Sequence, residues 1–144
     1  MSDPWQVKRQ LTDALNEHDL EAVLETFAPD AVLVSPFGVA EGHEQIGWMY
    51  EQVFKSFPDF HLVAWYEAVT CHTPLMVEWT VTGTHLGPLL LPDGRELAAT
   101  GRPVTFRGTC ASFIEDGKIK THREYFDQLE VYSQLGLRLA EPVG

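Results

Sequence analysis

An α+β domain is the architecture this sequence predicts: a curved antiparallel sheet with helices packed on one face. Apolar residues first recur at helical spacing, through residue 57; over residues 60–126 the period becomes that of strands. The strands are joined mostly by short turns, Glu115-Asp116-Gly117-Lys118 being the clearest, with the Asp-Gly pair that a tight hairpin needs. With 144 residues and 44% hydrophobic content, the chain suits one domain and one core, spanning 1–144 with a core of about 4–137.

The elements follow in order. Asp3 and Pro4 start a helix over 4–18, as N-cap and first helical position, with Trp5, Leu11, Ala14 and Leu15 as its apolar stripe and Val7 flanking it. Asp19 caps a second helix from Leu20 to Phe27, whose inner face is Leu20, Val23, Leu24 and Phe27. Ala31 to Ser35 is a short strand, and Pro36-Phe37-Gly38 and Glu41-Gly42 mark a loop. A third helix runs from His43 to Phe57, stopped by Pro58-Asp59. Strands are expected over Phe60 to Val69, Leu75 to His85, Pro103 to Ile114 and Lys118 to Phe126, with a long connection from Leu86 to Gly101. Asp127 and Glu130 read as a capping box for a last helix ending at Gly136, and residues 138–144 as a frayed tail.

The net charge of −11 comes without any basic block, so neither a nucleic-acid partner nor an anionic membrane surface is expected. No apolar run is long enough to span a bilayer and no apolar leader segment is visible, which suggests a cytoplasmic protein. Cys71 and Cys110 read as reduced, buried thiols. The histidines show no metal-ligand spacing, so no metal is expected.

The last strand holds the chemistry. Alternation puts His122, Glu124 and Phe126 on one face and Thr121, Arg123 and Tyr125 on the other. It leaves open which face is inward. If inward, Glu124 would be an acid/base carboxylate in an apolar pocket, with His122 as partner or proton shuttle. If outward, the two form a solvent-facing pair. Asp127 reads as a helix cap. Glu78 faces either the pocket or the outer surface. His85, at a strand end, reads as a surface residue or as part of the pocket mouth.

Asn16-Glu17-His18-Asp19-Leu20-Glu21-Ala22-Val23-Leu24, followed by Phe27-Ala28-Pro29-Asp30-Ala31, resembles the opening of the SnoaL-like polyketide cyclases within the NTF2-like superfamily. Phe57-Pro58-Asp59-Phe60, Trp79-Thr80-Val81-Thr82-Gly83-Thr84-His85, Thr100-Gly101-Arg102-Pro103 and Tyr125-Phe126-Asp127 resemble later landmarks in the same order, so the resemblance covers residues 10–137. It implies a cone: a strongly curved mixed or antiparallel sheet wrapped around three N-terminal helices, with a central apolar pocket. It also implies cofactor-independent acid/base chemistry, an aldol-type cyclisation or isomerisation. His122-Arg123-Glu124-Tyr125-Phe126-Asp127 resembles the last-strand run of the similar limonene epoxide hydrolases, and His122 with Glu124 resembles the His-x-Asp pair of SnoaL-type cyclases, with Glu124 where the relatives carry Asp.

On this reading Glu124 and His122 are catalytic, and Tyr50, Phe37, Trp48, Phe54, Trp79, Phe106, Glu78 and Phe126 bind a small hydrophobic molecule of polyketide or alicyclic type. The alternatives are a non-catalytic binder with the same cone, or an epoxide-hydrolase or hydroxylase variant. In a binder, Glu124 would be expected to pair with Arg107 or Arg123. A homodimer is expected through the outer sheet face, with Val77, Val81, Phe113 and Tyr125 supplying apolar surface.

Overall fold

The computed structural model describes residues 3–65 and 74–143. Three helices open the chain: α1 (Pro4–Glu17), α2 (Leu20–Glu25) and, after two strands, α3 (Gly42–Ser56). The strands are β1 (Phe27–Ser35), β2 (Gly38–Glu41), β3 (His61–Trp65), β4 (Leu75–Thr84), β5 (Leu89–Leu90), β6 (Glu96–Leu97), β7 (Pro103–Glu115) and β8 (Lys118–Phe126), and α4 (Gln128–Gln134) closes the order. The main sheet has six strands in the order β2-β1-β8-β7-β4-β3. It is mixed: β1 runs parallel to β8, and every other pair is antiparallel.

The helix starts are the ones the capping residues predict. The Asp3 carboxylate accepts from the Trp5 amide at 3.0 Å, Asp19 from Ala22 at 3.1 Å and Asp127 from Leu129 at 2.9 Å, each satisfying a backbone donor that the first helical turn leaves unpaired. The reciprocal half of the expected capping box is absent, because the Glu130 carboxylate turns to Arg107 Nε, 3.7 Å away. Asp116 and Gly117 both take positive φ, 52° and 73°, as a two-residue hairpin turn requires.

Some boundaries differ from expectation, and one strand is described only in part. The second helix ends at Glu25, where the Thr26 hydroxyl donates to the Val23 carbonyl and Phe27 leaves to pair with Ile119 of β8. Gly38 to Glu41, read as loop, is an edge strand that folds back on β1. The strand expected over 60–69 is described from His61 to Trp65; its remainder and Cys71 lie outside the described residues.

Helices α1 and α3 cover the concave face of the sheet. Ala14, Leu15, Val23, Leu33, Ile46, Phe57 and Val131 belong to a continuous buried core. On β4 the alternation is strict: Leu75, Val77, Trp79 and Val81 are buried, while Met76, Glu78 and Thr82 are exposed. Val77 and Val81 therefore face the helices and not the outer surface, as the dimer reading had them. The outer face carries Val63, Trp65, Met76, Phe113 and Tyr125 instead.

Trp79 reaches its inward position because its partner across the ladder is Gly108. A Cβ there would lie 2.5 Å from the indole and 2.7 Å from the Tyr125 carbonyl oxygen, so only glycine admits the ring.

Candidate active site

Between α1, α3 and the concave sheet lies a cavity of about 390 Å³. Glu124, His122, Tyr50, Phe37, Trp48, Trp79, Phe106 and Phe126 line it. Two expected members do not. Glu78 is exposed on the outer face, since strand alternation cannot turn it and Trp79 the same way. Phe54 lies behind the wall, its ring stacked on His18 at 4.6 Å.

One part of the wall is aromatic. Trp79 and Phe106 meet edge to face at 5.8 Å, Phe106 and Phe126 lie 5.3 Å apart, and Phe37 stands edge-on to Phe126 at 5.1 Å. Phe37 and Trp48, 41% and 53% exposed, mark the rim, together with Leu89 to Pro92 of the loop after β4. His85 anchors that loop from beneath. It is fully buried, its backbone bonds to both Gly101 and Arg102, and its Nδ1 accepts from the Thr100 amide at 3.1 Å. His85 is thus neither at the surface nor at the pocket mouth.

The deep part of the cavity is polar, and half of it was not legible in the sequence. Lys8, on the apolar stripe of α1, is 4% exposed. Its Nζ donates to Ser112 Oγ at 2.8 Å and lies 3.5 Å from both His122 Nδ1 and Cys110 Sγ. Ser112 Oγ is 2.8 Å from His122 Nδ1, and His122 Nε2 is 3.2 Å from Glu124 Oε1. Lysine has donors only, so the hydroxyl accepts from Lys8 and passes its own proton toward Nδ1. Nε2 then carries the imidazole proton and donates it to the Glu124 carboxylate. These donor assignments follow from the network, ammonium to hydroxyl to imidazole to carboxylate.

The electrostatics agree with that direction. Burial and the nearby Lys8 charge push the His122 pKa below the ordinary histidine value, against the pull of Glu124, so the imidazole is neutral at pH 7. Its contact with Glu124 is a hydrogen bond between a neutral donor and a carboxylate, not an ion pair. Burial, with the Glu124 charge, pushes the Tyr50 hydroxyl well above its ordinary value, so it keeps its proton. That hydroxyl is buried and has no hydrogen-bond partner among the described residues. Burial raises the Cys110 thiol as well, which makes it a poor nucleophile.

The remaining sequence expectations are placed as follows. Asp127 caps α4 and is not in the cavity. Arg107 pairs with Glu130, and Arg123 is exposed, so neither is the partner of Glu124 found here. No group of three or more His, Cys, Asp or Glu among the described residues could hold a metal ion. No helix of the described residues is long and apolar enough to cross a membrane. Lys8 was missed because a lysine within an apolar stripe usually extends its head to water; its spacing from Leu11 and Leu15 was the available signal.

Several solved structures share this architecture. A SnoaL-like protein of Jannaschia sp. CCS1 superposes with a TM-score of 0.79 at 21% identity, covering 96% of this chain and 99% of that one. IdmH of Streptomyces antibioticus, assigned as a polyketide cyclase, gives 0.72 at 26% identity, covering 94% and 100%. A ketosteroid isomerase-like protein of Catenulispora acidiphila gives 0.72 at 18% identity, covering 95% and 96%. No curated protein matches the sequence significantly. The fold is therefore NTF2-like, an α+β cone, and its sequence signature, the SnoaL-like polyketide cyclase family, matches residues 6–135, so the chain belongs to that family.

Proposed function

We propose that the protein is a cofactor-independent enzyme that binds a hydrophobic polyketide-type or alicyclic molecule and catalyses an aldol-type cyclisation or an isomerisation. The observation that carries this reading is Glu124: a carboxylate facing a largely apolar cavity, held by a buried neutral imidazole. A carboxylate so placed is suited to take and return a proton.

In the cyclisation Glu124 removes a proton alpha to a carbonyl. The C–H bond breaks, an O–H bond forms on the carboxylate, and the electron pair moves to the carbonyl oxygen as an enolate. The enolate carbon attacks a second carbonyl of the same molecule, and the resulting alkoxide takes the proton back from Glu124. His122, donating from Nε2 to Oε1, fixes the carboxylate and leaves Oε2 for the proton. The unpartnered Tyr50 hydroxyl is a donor for the enolate oxygen.

Exchange of alpha protons is the first half of the reaction and needs no natural substrate. With 2-tetralone in D₂O, proton NMR should show accelerated exchange, and Glu124→Gln should slow it roughly a hundredfold or more while melting like the parent. Exchange at the parent rate in Glu124→Gln would remove Glu124 from the mechanism. A ketone that binds without any accelerated exchange would favour the non-catalytic binder.

A further inference from the structure

We propose that Lys8 and Ser112 are positioning residues for the reaction: together they hold His122 as a neutral donor to Glu124, keep it out of the proton traffic, and so set how far the pH can fall before proton exchange fails. The proposal rests on the reading of Glu124 as the base and adds what governs that base.

The geometry is a chain with one direction. Lys8 Nζ donates to Ser112 Oγ at 2.8 Å, and Ser112 Oγ stands 2.8 Å from His122 Nδ1. Both side chains are nearly dry, Lys8 4% exposed and Ser112 1%. An ammonium has no lone pair to offer, so Lys8 fixes the hydroxyl with its proton toward Nδ1. A second proton on the ring has only Nδ1 to occupy, because Nε2 carries the one given to Glu124 Oε1. Placing it there would force the Ser112 proton off the acceptor it has among the described residues. It would also set a charge on the nitrogen 3.5 Å from Nζ. Burial and the Lys8 charge both oppose that proton, and Glu124 favours it.

The other groups around the ring do not replace Lys8. From α3 comes Tyr50 and from β7 Cys110, each kept protonated by burial. From β1 come Leu33, opposite His122 in the ladder, and Phe27, edge-on at 5.9 Å. Glu124, on β8 itself, pulls the other way.

Neutrality matters to the base. A neutral imidazole orients the Glu124 carboxylate and leaves it able to take a proton. An imidazolium in the same place would hold the carboxylate ionised, since a close opposite charge favours the charged form. The arrangement is the reverse of a hydrolase triad, where a carboxylate behind the imidazole stabilises its protonated form. Here a donor stands behind it, backed by an ammonium.

The test follows the alpha-proton exchange of saturating 2-tetralone from pH 8 to pH 5, together with the titration of the His122 imidazole resonance. In Lys8→Met that resonance should titrate about one pH unit or more above the parent. Below that point the exchange rate of the variant, relative to its own rate at pH 8, should fall about tenfold per pH unit, while the parent holds its rate to lower pH. Lys8→Gln, which keeps a donor to Ser112 without the charge, should show a smaller shift of both, and it also serves should Lys8→Met fail to fold. In a Ser112→Ala background the shift made by Lys8→Met should shrink, because the hydroxyl that transmits it is gone. A rate lowered by the same factor at every pH, with the His122 resonance unmoved, is what a merely structural lysine gives, and it would overturn the proposal. A moved resonance with an unmoved rate profile would overturn the role in the reaction, and an equal shift with and without Ser112 would overturn the part of the serine. Glu124→Gln exchanging at the parent rate would sink the base alone, since the resonance reads the hold on His122 without it.

Discussion

Lowering the pH should unfold this protein through a histidine. His122 is 4% exposed, and its pKa in the folded chain lies below the ordinary value of about 6.5 that it recovers on unfolding. The unfolded chain therefore binds the proton first. Stability from this group is complete above about pH 6.5 and falls as the pH drops from there toward the folded pKa. One proton limits the slope to about 1.4 kcal/mol per pH unit. The geometry gives the reason: a proton on Nδ1 would turn it from acceptor to donor, reversing the Ser112 hydroxyl and adding a charge 3.5 Å from the Lys8 ammonium. His85, also depressed by burial, adds a second contribution of the same sign. Urea melts at pH 7, 6 and 5 on the parent and on His122→Asn read this directly. The variant should lose up to one proton's worth of slope while keeping the His85 share. Identical slopes, or an imidazole resonance of His122 titrating at or above 6.5, would refute the reasoning.

Asp127→Asn should melt like the parent and keep activity, because Asn caps α4 about as well, whereas Asp127→Ala should lose about 1 kcal/mol of stability; inactivity in a normally melting Asp127→Asn would move the catalytic carboxylate there. Gly108→Ala should push the Trp79 indole out of its seat, visible as a shifted tryptophan emission and a lowered melting temperature, and an unchanged spectrum and melt would contradict the close approach across the β4–β7 ladder. We also propose a homodimer through the outer sheet face, where Val63, Trp65, Met76, Phe113 and Tyr125 are each 42–53% exposed. Light scattering at micromolar concentration should give twice the chain mass, and a monomer mass would end the proposal.

Much of this structure could be read from local signals. The starts of α1, α2 and α4 were each announced by an aspartate whose side chain caps the helix, and the β7–β8 hairpin by Asp116-Gly117. What escaped was decided at long range. Phe27 continues a helical period, yet its strand pairing is with Ile119, far away in sequence. The four residues of β2 are too few for alternation to register. Parity was the other difficulty: a strand's two faces are told apart only by what packs on them, so Glu78, Val77 and Val81 could be assigned either way. In the site, His122 and Glu124 are adjacent on one strand and therefore visible together. Lys8 and Ser112 come from the first helix and from β7, and only folding brings them to His122.

The parallel pairing of β1 with β8 bears on how the protein is made. β1 is an early segment, but its neighbour on one side emerges from the ribosome only when residues 118–126 do. Until then the helices have an incomplete wall to close against, and Leu33 and its neighbours must wait with apolar surface uncovered. A ladder that joins distant segments in this way is slow to nucleate, because loop closure precedes any reward. A nascent chain stalled before Phe126 would therefore expose the future cavity wall together with an unpaired edge of β1, the kind of surface that chaperones bind.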